Sequence, residues 1–198
     1  MKENNIVAVS QKKFIHTTDS KHTNPVAENI LNRNFALQEK NKAWVGDITY
    51  IWTSRGFTYL STVIDLYSRK IVSWSMGYLM TKKLVIEPLE DAVKHRKPEN
   101  ELIFHSDRGS QNASNDFKNS LSKNKVIQSM SRKGNCWDNA VAESFFKTIK
   151  TECLNRYKFR NLNEVERIVF EYIEMFYNTR RLHSTLGYLS PNEFERLN

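Results

Sequence analysis

The chain of 198 residues carries 30 Lys plus Arg against 22 Asp plus Glu, a formal net charge of +8, with 39% hydrophobic and 26% charged side chains. Such a chain forms one ordinary domain with a buried core and a short appendage, which excludes a wholly disordered or collagen-like protein, and its basic balance favours a polyanionic partner, nucleic acid first. Only Cys136 and Cys153 are present, without a Cys-x-x-Cys pair, so a disulfide framework and a cysteine-built zinc site are excluded as well.

No apolar stretch approaches the roughly 18 residues of a membrane helix, and Met1 to Ser10 lacks the basic-then-apolar order of a signal peptide. A cytoplasmic protein is expected. Polar runs such as Gln11-Lys12-Lys13, with no sustained period, predict an extended arm over residues 1–40. Ala43 to Trp52, Phe57 to Tyr67 and Lys70 to Met76 are β-branched and aromatic runs separated by short turn segments, which predicts three strands in an antiparallel meander. Leu84, Val85, Pro88, Leu89, Ala92 and Val93 recur at helical spacing, so Leu84 to His95 reads as a helix with Pro88 near its first turn.

Glu101 to Ser106 reads as a strand ending at Asp107, Ser114 to Asn124 as a helix, and Val126 to Met130 as a strand. This β-α-β unit implies parallel pairing. The loop Ser131 to Asp138 leads into a helix from about Asn139, with Asp138 at or near its N-cap. Asn163 is the expected cap of a last long helix in which Val165, Ile168, Val169, Tyr172, Ile173, Phe176 and Tyr177 form one stripe, and Ser190-Pro191 opens a final short helix. The order β-β-β-α-β-α-β-α describes an α/β fold, an RNase H-like mixed five-stranded sheet with helices on both sides. The polar arm (1–40) thus precedes a core (41–160) and a C-terminal helical extension (161–198).

Asp47 lies in the middle of the first strand, sharing a face with Thr49 and Ile51. A carboxylate there is costly unless a cation or hydrogen bonds satisfy it. Asp107 follows Leu102-Ile103-Phe104 at the C-terminal end of a strand, where ligand sites of parallel sheets concentrate. Glu143 comes 35 intervening residues later, on a helix whose Ala142, Phe145, Phe146 and Ile149 form the opposite, apolar face. At 100° per residue, Asn139, Lys147 and Lys150 fall within about 40° of Glu143. An acid flanked by two cations suits a phosphodiester, since hard divalent ions that clamp an in-line phosphoryl displacement prefer Asp and Glu oxygens.

Other charged residues have plainer readings. Asp65 suits an ion pair with Arg69 at a turn, His105 a satisfied hydrogen bond, Trp137 packing, and Asp116 a helix cap. Arg132 and Lys133 stand where phosphate contact is convenient. Arg180, Arg181 and His183 suit either DNA contact or the C-terminal dipole of the long helix.

The motifs Trp44-Val45-Gly46-Asp47-Ile48-Thr49-Tyr50, Val63 to Arg69, His105-Ser106-Asp107-Arg108-Gly109-Ser110-Gln111, Ser131 to Ala140 and Tyr177 to His183 closely resemble bacterial insertion-sequence transposases with a retroviral-integrase-like catalytic core. The resemblance implies that Asp47, Asp107 and Glu143 are the catalytic acids and the ligands of two Mg²⁺ or Mn²⁺ ions, and that Lys150 contacts DNA. It further implies cleavage at the element's ends, attack of the 3′-hydroxyl on another phosphodiester, double-stranded DNA as partner, and a homo-oligomer on that DNA at the nucleoid. Asn112 and Ala113 stand where that family often carries Tyr and Thr. Ahead of Trp44 there is only the polar arm, so an upstream-frame DNA-binding protein with a helix-turn-helix is expected to recognise the ends. A plain nuclease and a non-catalytic DNA-binding fragment are the rival readings.

Overall fold

The computed structural model describes residues 24–99 and 101–198. The arm expected over residues 1–40 lies outside the described residues as far as residue 23, and with it the signal-peptide comparison. Strands β1 (Ala43–Thr53), β2 (Gly56–Asp65) and β3 (Ile71–Gly77) form the meander. Helix α1 (Lys83–Arg96) leads to β4 (Leu102–Ser106), and α2 (Asn115–Lys123) to β5 (Val126–Met130). Helix α3 (Ala140–Glu152) follows a 3-10 turn over Cys136–Asn139, and α4 (Leu162–Phe170) runs on into a π-helical stretch over Glu171–Tyr177. Helix α5 (Pro191–Leu197) closes the chain. The sheet has the order β3-β2-β1-β4-β5, antiparallel in the meander and parallel from β1 to β5, as the β-α-β reading requires.

Alternation along the strands assigns each face its helices. Trp44, Leu102 and Phe104 point to one side, where Val85, Leu89 and Ala92 of α1 and Phe117 and Leu121 of α2 cover them. Ala43, Val45 and Ile51 point to the other, against Ala142, Phe145, Phe146 and Ile149 of α3 and Val165, Ile168, Val169 and Ile173 of the α4 region. Each large apolar side chain buried in this way contributes about 2 kcal/mol. The C-terminal extension therefore shares a core with the sheet.

Local details depart from the sequence reading for definable reasons. Pro88 lies in the body of α1, beyond the first turn. Proline lacks the N–H that Leu84 O would otherwise accept; Ser75 Oγ of β3 donates to that carbonyl at 2.8 Å instead. The cap of α4 is Asn161, whose Oδ1 accepts from the N–H of Glu164 at 3.1 Å, two residues ahead of the expected Asn163. Ser114 caps α2, while Asp116 pairs with Lys82. Asp65 is fully buried and accepts from Arg96 at 3.2 Å and from the backbone N–H groups of Asn41 and Tyr67; the expected partner Arg69 donates to Phe35 O. Packing of α1 and α5 brings in Arg96, which also binds Glu195 at 2.6 Å.

Candidate active site

The parallel register pairs Val45 with His105 and Gly46 with Ser106. One further step along both chains sets Asp47, in the middle of β1, beside Asp107, just past the C-terminal end of β4. Gly46 leaves room for the ring of Phe104, which lies over it: a Cβ at that position would come 2.3 Å from Cζ of Phe104. Asp47 faces the side of the sheet that α3 covers, because Val45 on the same face packs into the cluster with Phe145 and Ile149. The burial of Ala142, Phe145, Phe146 and Ile149 turns Glu143 of α3 outward, and it is exposed.

The electrostatics tie the three acids together. Burial raises the Asp47 carboxyl well above its ordinary value, and the charges of Asp107 and Glu143 push it the same way, against the Ile48 N–H and Lys150. Glu143 is raised by desolvation and by Asp107. Asp47 Oδ1 accepts from the N–H of Ile48 at 2.7 Å. Asp107 Oδ1 accepts from the N–H of Gly109 at 2.9 Å and from Asn112 Nδ2 at 3.0 Å.

An all-oxygen set of carboxylates fits a hard divalent cation, which would offset the repulsion that each acid feels from the others. Asn139 Oδ1, one turn before Glu143 on the same helix face, is buried and accepts no hydrogen bond. Among the described residues no three His, Cys, Asp or Glu side chains are drawn together closely enough to hold an ion, and Glu143 is linked to Asp47 and Asp107 through charge. His105 does not belong to the donor set: its Nδ1 meets Ser129 Oγ at 2.9 Å and its Nε2 meets Ser131 Oγ at 3.1 Å, and burial pushes its pKa down to about 4.

The cations divide into two kinds. Lys150 sits over the ring of Tyr50 at 4.4 Å, its pKa lowered by burial and held up by Asp47. Lys133, Lys147 and Arg180 are exposed. Arg132 instead grips Asp138 with Nε at 2.9 Å and Nη2 at 2.8 Å, and Arg181 grips Glu152 with Nη2 at 2.7 Å. Asp138 is therefore no cap: the 3-10 turn aims it inward, where Asn29 and Arg33 also donate to it, and Asn139 takes the N-cap place without a side-chain bond. The same turn leaves the neighbouring Trp137 69% exposed, where packing was expected. Sequence reasoning missed Asn112 and Arg33; an Asn in place of the family's Tyr was the only local signal for the first.

Residues 37–136 match an integrase core domain family, and residues 124–191 match a second integrase core domain family. Over 193 residues the chain is 45% identical to the 31 kDa protein of insertion element IS600 from Shigella sonnei, covering 98% of this chain and 71% of that protein. It is 42% identical over 191 residues to the transposase InsF of insertion sequence IS3A from Escherichia coli strain K12, covering 96% of this chain and 66% of that relative's length. Among solved structures, the HTLV-2 integrase catalytic core domain in complex with magnesium superposes with a TM-score of 0.56 at 15% identity, over 80% of this chain and 98% of that one. The catalytic domain of the Mos1 mariner transposase gives a TM-score of 0.58 at 12% identity, over 79% and 74%. At such identities the likeness is one of fold, and the fold is the RNase H-like sheet described above.

Proposed function

Because the chain belongs to the integrase core family of bacterial insertion-sequence transposases, we propose that it is the catalytic portion of a DNA transposase, one that cleaves the element's ends and joins the resulting 3′-hydroxyl to another phosphodiester. The observation that carries this reading is the register that sets Asp47 beside Asp107 beneath α3, with the charge of Glu143 bearing on Asp47. Asp47, Asp107 and Glu143 would hold divalent cations, Mg²⁺ or Mn²⁺ and two in number, which would supply Lewis acidity for an in-line displacement.

The chain's own residues do the rest. Backbone pairing of Gly46 with Ser106 keeps Asp47 and Asp107 side by side, and Glu143 would complete the acidic set from the exposed face of α3. Lys150, packed on Tyr50, and Lys147, one turn earlier, orient the scissile phosphate. Lys133 and Arg180 add phosphate contacts, while Arg132 and Arg181, already paired with Asp138 and Glu152, hold the frame. The core over 41–160 and the extension over 161–198 act as one catalytic unit. Element-end and target DNA, a second copy of this chain, and an upstream-frame DNA-binding protein complete the reaction, in the cytoplasm at the nucleoid.

Incubation of the chain with Mg²⁺ and duplex DNA carrying the element's ends tests this. A transposase yields nicked ends and joined products. A plain nuclease yields cuts alone, and a non-catalytic fragment yields salt-sensitive binding with neither.

A further inference from the structure

We propose that Asn112 is a positioning residue that presents one oxygen of Asp107 to a divalent cation by occupying the other; this rests on the reading of Asp107 as a ligand. Asn112 is only 3% exposed, and its side-chain Nδ2 donates to Asp107 Oδ1 at 3.0 Å. The N–H of Gly109 donates to the same oxygen at 2.9 Å, so both hydrogen bonds that the carboxylate accepts among the described residues end on Oδ1. Oδ2 is left as the ligating oxygen. A Cβ at Gly109 would lie 3.0 Å from Oδ1, so glycine leaves this oxygen uncrowded.

Asn112 is itself held firmly. Its carbonyl accepts from Gln128 Nε2 of β5 at 2.8 Å, and the N–H of Ala113 donates to Gly109 O at 3.0 Å, closing the turn that carries it. Gln111 Nε2 donates to Met80 O at 3.0 Å and ties the same turn to the segment before α1. An amide N–H on a carboxylate is a charge-assisted bond and locks the rotamer of Asp107. A Tyr, often carried here by the family, has no amide N–H, so an amide-to-carboxylate bond depends on this chain's Asn.

Mn²⁺ binding to the full chain without DNA, followed by paramagnetic resonance of the free ion, tests the proposal alongside the melting temperature of the metal-free protein. Asn112→Leu removes the donor at nearly equal volume, and its dissociation constant for Mn²⁺ should rise about tenfold, the usual loss when a ligand's orienting partner is removed. Saturating Mn²⁺ should restore cleavage. If Asn112→Leu does not fold, Asn112→Ala removes the same bond with less crowding and should weaken Mn²⁺ binding equally. A folded variant with wild-type Mn²⁺ affinity, beside an Asp107→Asn control that has lost binding, overturns the proposal; a purely structural Asn112 would give that result with a lowered melting temperature. If Asp107→Asn itself binds Mn²⁺ like the wild type, the ligand reading of Asp107 fails, and the role of Asn112 with it.

Discussion

Arg33 and Asp138 lie 105 residues apart in the chain and meet at 2.7 Å, Nε to Oδ1. Asn29 Nδ2 and Arg132 Nε both donate to Oδ2 of the same carboxylate at 2.9 Å. One buried acid thus fastens the segment ahead of β1 to the turn that delivers Glu143.

Asp138→Asn should therefore destabilise the protein by about 2 kcal/mol, because two guanidinium groups lose their charged acceptor. For a domain of this size that is a fall of about 4–8 °C in Tm. Arg132 foremost holds the Asp138 carboxyl far below the usual carboxylate range. A depressed carboxyl stabilises the fold above its unfolded-state pKa and loses that contribution as pH falls. Wild-type stability should drop as pH falls below about 4, and the drop should be smaller in Asp138→Asn. Equal acid melting curves for the two proteins would contradict this role.

Burial, with Arg181 and Arg69 beside it, pushes the His183 pKa down to about 4. The unfolded chain takes up that proton near pH 6.5 and the folded chain does not, so stability is constant above that pH and declines as pH falls from 6.5 towards 4. Denaturant unfolding at pH 7 and pH 5 should differ by about 1 kcal/mol from this residue. His183→Gln should remove that part of the difference, and an unchanged difference in the variant would refute it.

Gly46→Ala should cost about 1–3 kcal/mol, because the added methyl group overlaps the ring of Phe104. The double variant Gly46→Ala/Phe104→Leu should regain part of the loss. A single variant as stable as the wild type would mean that the Phe104 ring does not need the space Gly46 leaves beside Asp47.

The strands, their parallel half and the outward face of Glu143 were legible in the sequence, because period-two alternation and the stripe Ala142, Phe145, Phe146, Ile149 are local patterns. Partners chosen by tertiary packing were not. Asp65 takes Arg96 from α1 rather than the nearby Arg69, and Asp138 takes Arg33 across most of the chain. Repair of the Pro88 gap by Ser75 and the capture of Asp107 by Asn112 likewise depend on which loop folds over which strand. The shift of α4 into a π-helical stretch after Phe170 has no local signal, since the apolar stripe runs through it. The pairing of Arg132 with Asp138 and of Arg181 with Glu152 was likewise not legible, since the sequence showed these arginines as candidates for phosphate contact.

Lys150→Met should weaken duplex binding and lower the slope of log affinity against log salt by about one, as the loss of one phosphate contact requires. Lys147→Ala should do the same, while Arg181→Met should leave the slope unchanged and lower Tm, because its charge is spent on Glu152. Fluorescence anisotropy at several salt concentrations measures both. An Arg181→Met slope reduced as far as that of Lys150→Met would reverse the assignment.

The most direct measurement compares end cleavage and strand joining by the wild type with Asp47→Asn, Asp107→Asn and Glu143→Gln, with duplex affinity and melting temperature taken on the same samples. Each substitution should abolish both reactions while the folded protein binds DNA at least as tightly, since a negative charge has been removed from the phosphate path. Retention of cleavage by any one folded variant would contradict a single reaction centre built from these three acids.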